Sequence, residues 1–215
     1  MRYFLEKTPE HALHADFILK CFPTARFIHV IRDARHVVAS LIRTAREFGR
    51  GPDSMNATLA SGVWRNSVLA ASEIAKKVPS QRQYIEIQYE ALRNRPQAEL
   101  GRLLDFLDLK TSDQTVEQIV ESNTLERSRQ NSGFAAILPA SSGPDRKPEP
   151  AGFFGAGASG ADDFALTSLE RFQVERLNGD ILIERGYCRS QPRIPLWGLV
   201  ACSWKVRKLL GLHPA

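Results

Sequence analysis

The stretch Arg26-Phe27-Ile28-His29-Val30-Ile31-Arg32-Asp33-Ala34-Arg35-His36-Val37-Val38-Ala39-Ser40 changes character halfway along. Its first six residues are mostly apolar and β-branched, without clean alternation. Such a run predicts a strand covered on both faces, as in a parallel sheet. Arg32-Asp33-Ala34-Arg35 then interrupts it with charge. From Val37 onward the period lengthens, and Val37, Val38, Leu41, Ile42, Ala45 and Phe48 mark one face of a helix. Phe27 to Phe48 is therefore strand, short polar turn and helix.

Reading outward, Pro9 to Lys20 predicts a helix, with Pro9 at its first position, Thr8 as cap, and Leu13, Phe17 and Ile18 on one side. Downstream of Gly49-Arg50-Gly51-Pro52, Ser54 to Lys77 predicts a long helix with Val63, Trp64, Ser67, Val68, Ala71, Ile74 and Ala75 turned inward. Tyr84 to Tyr89 alternates and predicts a second strand. Pro96 opens another helix, with Leu100, Leu103, Leu104 and Leu107 at helical spacing. Strands alternating with helices indicate an α/β layered fold. Asn131 to Gly160 holds six of the 14 glycines and four of the 12 prolines, the composition of a loop. Asp163 to Arg185 predicts a last helix, with Leu166, Leu169, Phe172, Leu177 and Ile181 inward and Gly186 closing it.

The chain has 215 residues, enough for one domain, and 43% hydrophobic content lets it bury a core. The formal net charge is +5, but its location matters more than its size. Residues 189–215 carry Arg189, Arg193, Lys205, Arg207 and Lys208 and no acid, so the tail holds the whole excess and the body is neutral. A basic nucleic-acid-binding face is not implied. Cys21, Cys188 and Cys202 stand in no metal-ligand spacing and cannot form a disulfide framework. Reduced thiols in a cytoplasmic protein are the expectation, since Met1 to Glu10 shows no secretory signal. No apolar stretch of about 18 residues is present that would span a membrane.

Two phosphate-binding signatures fail. No glycine is followed by lysine, which excludes a Walker A loop within these residues. Gly155-Ala156-Gly157-Ala158-Ser159-Gly160 has the GxGxxG spacing, but it follows Pro148 and Pro150 and no convincing strand. The strand–turn–helix at Phe27–Phe48 is a better anion site. A helix start at a strand exit offers free N–H groups and a positive dipole end. Arg32 can fork onto a phosphate and Ser40 can add a hydroxyl. The competing reading is a strand-end ion pair among Arg32, Asp33 and Arg35. Glu6-Lys7-Thr8-Pro9 sets a lysine before a helix start, either as an electrophilic group for phosphoryl or sulfuryl transfer or as an ordinary exposed side chain.

Three ordered blocks resemble the sulfotransferase family, enzymes that use 3′-phosphoadenosine 5′-phosphosulfate (PAPS). They are Glu6-Lys7-Thr8-Pro9; Phe22 to Ser40; and Tyr84 to Leu92 with Arg95-Pro96 and Leu104-Asp105-Phe106-Leu107. The resemblance covers residues 4 to 110 and implies a P-loop-like three-layer fold, a parallel sheet flanked by helices. It implies Arg32 and Ser40 on the 3′-phosphate of PAPS, Tyr89 near the adenine, and Gly155 in a loop closing over the nucleotide. Lys7 would stabilise the transferring sulfuryl group, and no metal is implied. The acceptor, a hydroxyl or amine, would attack sulfur in line, helped by positioning and charge neutralisation.

The family's opening strand and 5′-phosphosulfate loop have no counterpart in this sequence, so the expectation is a sulfotransferase domain over 1–188 that starts after them. Glu6, His11 and His14 are the nearby candidates for a base. Two other readings stand: a non-catalytic remnant serving as an interaction module, and another nucleotide-dependent transferase of P-loop ancestry. The tail, residues 189–215, suits a helix packed on the body or a peripheral membrane contact, since Trp197 and Trp204 are interspersed with Lys and Arg.

Overall fold

The computed structural model describes residues 4–47, 54–78, 80–124, 127 and 166–188. The Gly/Pro-rich segment 131–160, with Gly155, and the tail 189–215 lie outside the described residues.

A 3-10 helix at Pro9–His14 leads into α1 (Ala15–Cys21). Then follow β1 (Phe27–Ile31), α2 (Ala34–Glu47), α3 (Ala57–Lys77), β2 (Tyr84–Gln88), α4 (Tyr89–Asn94), α5 (Pro96–Phe106), α6 (Asp113–Ser122) and α7 (Ser168–Glu184). Among the described residues the sheet is β1 paired parallel with β2, from Phe27 beside Tyr84 to Ile31 beside Gln88. The protein is thus mostly helical around a small parallel α/β sheet, and α2 and α3 together form most of the crossover between the two strands. No helix among the described residues is long and apolar enough to cross a membrane.

The core lies where α2, α3 and α7 converge on the end of β1. Ile31, Val38, Trp64, Val68, Val174 and Leu182 are its main buried side chains. Each helix turns a 3.6-period stripe inward, so Val38, Ile42 and Ala45 are buried on α2, and Trp64, Val68, Ala71 and Ile74 on α3. Polar links fix the helices against one another. Arg65 forks onto Asp180 through two bonds of 2.6 Å. Arg185 donates to Ser72 at 3.0 Å, and Gln88 donates to the Arg185 carbonyl at 2.8 Å.

Several expectations need correction. The helix read over Pro9–Lys20 is two pieces, and the Thr8 hydroxyl bonds Glu6 instead of capping. Leu13 and Phe17 remain 62% and 69% exposed, because only Ala15 of α1 reaches the core. The long helix begins at Ala57 rather than Ser54: Asn56 caps it by accepting from the Thr58 and Leu59 amides. Val63, Ser67 and Ala75 are exposed, each one position off the stripe that carries Trp64, Val68, Ala71 and Ile74. On α7 the inward stripe runs through Val174, Asn178, Ile181 and Leu182, leaving Leu169 and Leu177 exposed. β1 is not covered on both faces, since Val30 is 51% exposed. Its register partner Ile87 is buried on a strand that α4 and α5 also pack against. Helix α6 was not expected; Ser112 caps it by accepting from the Thr115 amide.

Candidate functional site

The two strands end level, with Ile31 beside Gln88. The next residue of each chain therefore leaves the sheet at the same place. Those residues are Arg32 and Tyr89, and the Arg32 guanidinium carbon sits 4.5 Å from the centre of the Tyr89 ring. A planar cation over an aromatic face is a favourable pair that restricts the long arginine side chain. The Arg32 Nε is buried and has no hydrogen-bond partner. A buried, unpaired guanidinium N–H costs free energy unless an acceptor meets it. The Arg32 backbone is held as well: its carbonyl accepts the Trp64 indole N–H at 3.0 Å.

The ion-pair reading of the turn is correct for two of its three residues. Asp33 is 5% exposed and takes the Arg35 guanidinium through Nε and Nη2, the shortest contact being 2.6 Å. One of its oxygens also accepts the Arg35 amide at 2.8 Å, so Asp33 caps α2. Arg35 continues to Glu175 on α7 at 3.2 Å and to the Tyr187 carbonyl at 2.9 Å. Arg35 is thereby committed to the interior of the fold, and the α2 N-terminus is partly occupied by Asp33. Arg32 stands outside this pair. Ser40 lies in the second turn of α2 and is half-buried.

His36, one turn beyond Arg32, has its pKa pushed below the ordinary imidazole value, first by burial and then by the Arg32 charge. A depressed folded-state value means that the unfolded chain takes up the proton first. Stability from this group is fully present above the unfolded value, about 6.5, and is lost as pH falls from there through the folded value. Urea unfolding at pH 7.5 and 5.5 should show a shallower acid-side loss in His36→Asn than in the parent protein. Equal losses in both proteins would exclude the depression.

Two further side chains belong to this place. Glu90, at the start of α4, accepts the Asp33 amide at 3.0 Å. Tyr187 donates its hydroxyl to the other Glu90 oxygen at 3.1 Å. Burial, followed by the Glu90 charge, pushes the Tyr187 phenol far above its ordinary range, so it stays a donor. Tyr187 arrives there because Gly186, at φ 76°, reverses the chain after α7. The turn is a Schellman closure, with the Tyr187 amide on the Leu182 carbonyl at 2.7 Å and the Gly186 amide on Ile183 at 3.0 Å.

Arg32, Tyr89 and the start of α2 are thus brought together at the strand ends, where open α/β sheets bind ligands. Lys7 and Glu6 are exposed and precede the 3-10 helix, which packs on α3. Glu6 accepts from Thr8 at 2.5 Å and lies 4.0 Å from His11. Among the described residues, no hydrogen bond or ion pair joins Lys7, Glu6, His11 or His14 to Arg32 or Ser40. Sequence reasoning named Arg32, Ser40 and Tyr89 as candidates and gave no role at this place to Trp64, Glu90 or Tyr187. A buried tryptophan needs an acceptor for its indole N–H, which was the available signal for Trp64. Tyr187 is 156 residues from Ile31 and gave no local signal.

The family model described as "Sulfotransferase family" matches residues 1–113, more than half of the 215. Two curated relatives carry the name "Putative protein-tyrosine sulfotransferase". That of Caenorhabditis briggsae is 31% identical over 109 residues, 50% of this chain and 38% of the relative. That of Caenorhabditis elegans is 32% identical over 108 residues, 50% of this chain and 40% of the relative. The aligned part of the chain spans about two fifths of the length of these relatives. No solved structure matches the chain.

Proposed function

The chain belongs to the sulfotransferase family, and from that premise we propose that it binds PAPS at the ends of β1 and β2. In this reading the protein directs sulfuryl transfer to a hydroxyl or amine. PAPS supplies the activated sulfuryl group. Arg32 and Ser40 hold its 3′-phosphate, Tyr89 lies near the adenine, and Lys7 neutralises charge on the sulfuryl side. Residues 1–188 then form the catalytic domain, P-loop-like and three-layered, with residues 189–215 as a basic tail able to touch a membrane surface. A cytoplasmic location belongs to the same reading. The names of the two nematode relatives suggest a tyrosine hydroxyl as the acceptor class.

The observation that carries the reading is the buried, unpartnered Arg32 Nε beside a ring-stacked guanidinium, on an arginine that the Asp33–Arg35 pair leaves out. That arrangement fits an anion with several acceptor oxygens. Phosphate contacts far from the reacting sulfur give remote binding energy, which positions the transferring group.

The test is calorimetric titration with 3′-phosphoadenosine 5′-phosphate and with adenosine 5′-monophosphate, which lacks the 3′-phosphate. The first is expected to bind about 10²-fold more tightly, the worth of one or two charge-assisted bonds. Equal affinities, or no binding of either, would refute a 3′-phosphate site. Transfer of label from PAPS to a tyrosine peptide separates an enzyme from a non-catalytic remnant.

A further inference from the structure

We propose that Glu90 and Tyr187 are positioning residues which lock the backbone of Arg32 and so set the affinity of the 3′-phosphate site. The proposal rests on the anion-binding reading of Arg32.

Arg32 sits between two peptide planes: hydrogen bonds pin the one that follows it, and the pairing of β1 through its last residue, Ile31, holds the one that precedes it. In the plane that follows it, the Arg32 carbonyl accepts from Trp64 at 3.0 Å and the Asp33 N–H donates to Glu90 at 3.0 Å. In the plane that precedes it, the Ile31 carbonyl lies 3.4 Å from the Tyr187 hydroxyl. Fixing the planes on either side of one Cα fixes its φ and ψ. Once these are set, only the side-chain torsions of Arg32 are free, and Tyr89 restricts those by stacking 4.5 Å away.

The device needs Glu90 to be bidentate. One oxygen takes the Asp33 amide, which has left the β ladder and has no strand partner. The other accepts from Tyr187 at 3.1 Å, a shorter contact than that to Ile31, so the single hydroxyl hydrogen goes to the carboxylate. Arg35 completes the ring by donating to the Tyr187 carbonyl at 2.9 Å. The end of α7 is thereby fastened to the strand ends from a position beyond residues 1–113, the part matched by the family. A pre-set arginine loses less conformational freedom when a phosphate arrives, so affinity rises without a new contact to the ligand.

The test uses the full chain with Tyr187→Phe, which removes one oxygen and retains the ring, and with the pair Glu90→Ala and Glu90→Gln. Amide hydrogen exchange of the ligand-free protein reads the lock directly. Exchange at Asp33 is expected to accelerate about tenfold in Tyr187→Phe, with α3 amides unchanged. Affinity for 3′-phosphoadenosine 5′-phosphate should fall about tenfold, whereas adenosine 5′-monophosphate binds as before. A purely structural role would weaken both ligands alike. Glu90→Ala should lose more than Tyr187→Phe, and Glu90→Gln should recover part of the loss, because its amide oxygen still accepts from Asp33. Unchanged exchange at Asp33, or looser exchange with undiminished affinity, would overturn the proposal. If the parent protein does not distinguish the two nucleotides, the anion-site reading is what fails. The exchange measurement still decides whether the lock exists.

Discussion

Arg32→Ala is expected to lower affinity for 3′-phosphoadenosine 5′-phosphate by at least about 10²-fold, close to abolishing binding in an ordinary titration. Removing a charged partner from a part-buried phosphate contact costs about 2–5 kcal/mol, and each 1.4 kcal/mol is tenfold. The effect should be nearly complete because the other cation of the turn cannot substitute. Arg35 is tied to Asp33, Glu175 and the Tyr187 carbonyl, and moving it would break all three contacts. Arg32→Lys should recover only a part, since an ammonium cannot stack flat on Tyr89 or present a two-pronged donor. Folding should be little affected, as the Trp64 bond is to the Arg32 backbone and survives the change. The measurement is calorimetry on parent and variant, with circular dichroism to confirm the fold. Parent-like affinity in Arg32→Ala would move the phosphate site elsewhere in the molecule.

Trp64→Ala should be the most destabilising single change at the site, costing about 3–5 kcal/mol of unfolding free energy. Trp64 is 5% exposed and belongs to the cluster in which α2, α3 and α7 meet. Its loss opens a cavity there and also leaves the Arg32 carbonyl without its donor. Trp64→Phe separates the two effects. It retains most of the buried volume and removes the indole N–H, so its smaller cost, about 1–2 kcal/mol, reports mainly on the hydrogen bond. Urea denaturation checks both variants. A loss below about 1 kcal/mol in Trp64→Ala would mean that the ring is not part of the core.

What was legible in the sequence followed from period and chemistry. The change from an apolar run to a 3.6-residue stripe at Arg32 placed β1 and α2 correctly, and the turn between them made Arg32 a candidate. Alternation at Tyr84 placed β2 within one residue. The rest depended on how the pieces pack. Leu13, Phe17 and Val63 occur at helical spacing yet remain exposed, because apolar character at the right interval does not say which side of a helix meets a neighbour. The sequence left two readings of the turn open, an anion site on Arg32 and an ion pair among Arg32, Asp33 and Arg35. Only the arrival of Glu175 on α7 and of Tyr187 just beyond its end draws Arg35 inward and leaves Arg32 for another partner.

The sequence by itself determined the strand–turn–helix, its parallel companion, and the family resemblance built on Lys7, Arg32, Ser40 and Tyr89. These are local properties, written in spacings of two to eight residues and set by backbone period and side-chain chemistry. The tertiary structure alone decided that the two strands end level. That alignment puts Arg32 on Tyr89 and the Asp33 amide on Glu90, and it admits Tyr187 from the far end of the chain. The physical reason is that a buried strand end must satisfy its free backbone and guanidinium groups. The partners that do so are chosen by three-dimensional proximity across 57 and 156 residues of chain, which no local pattern records.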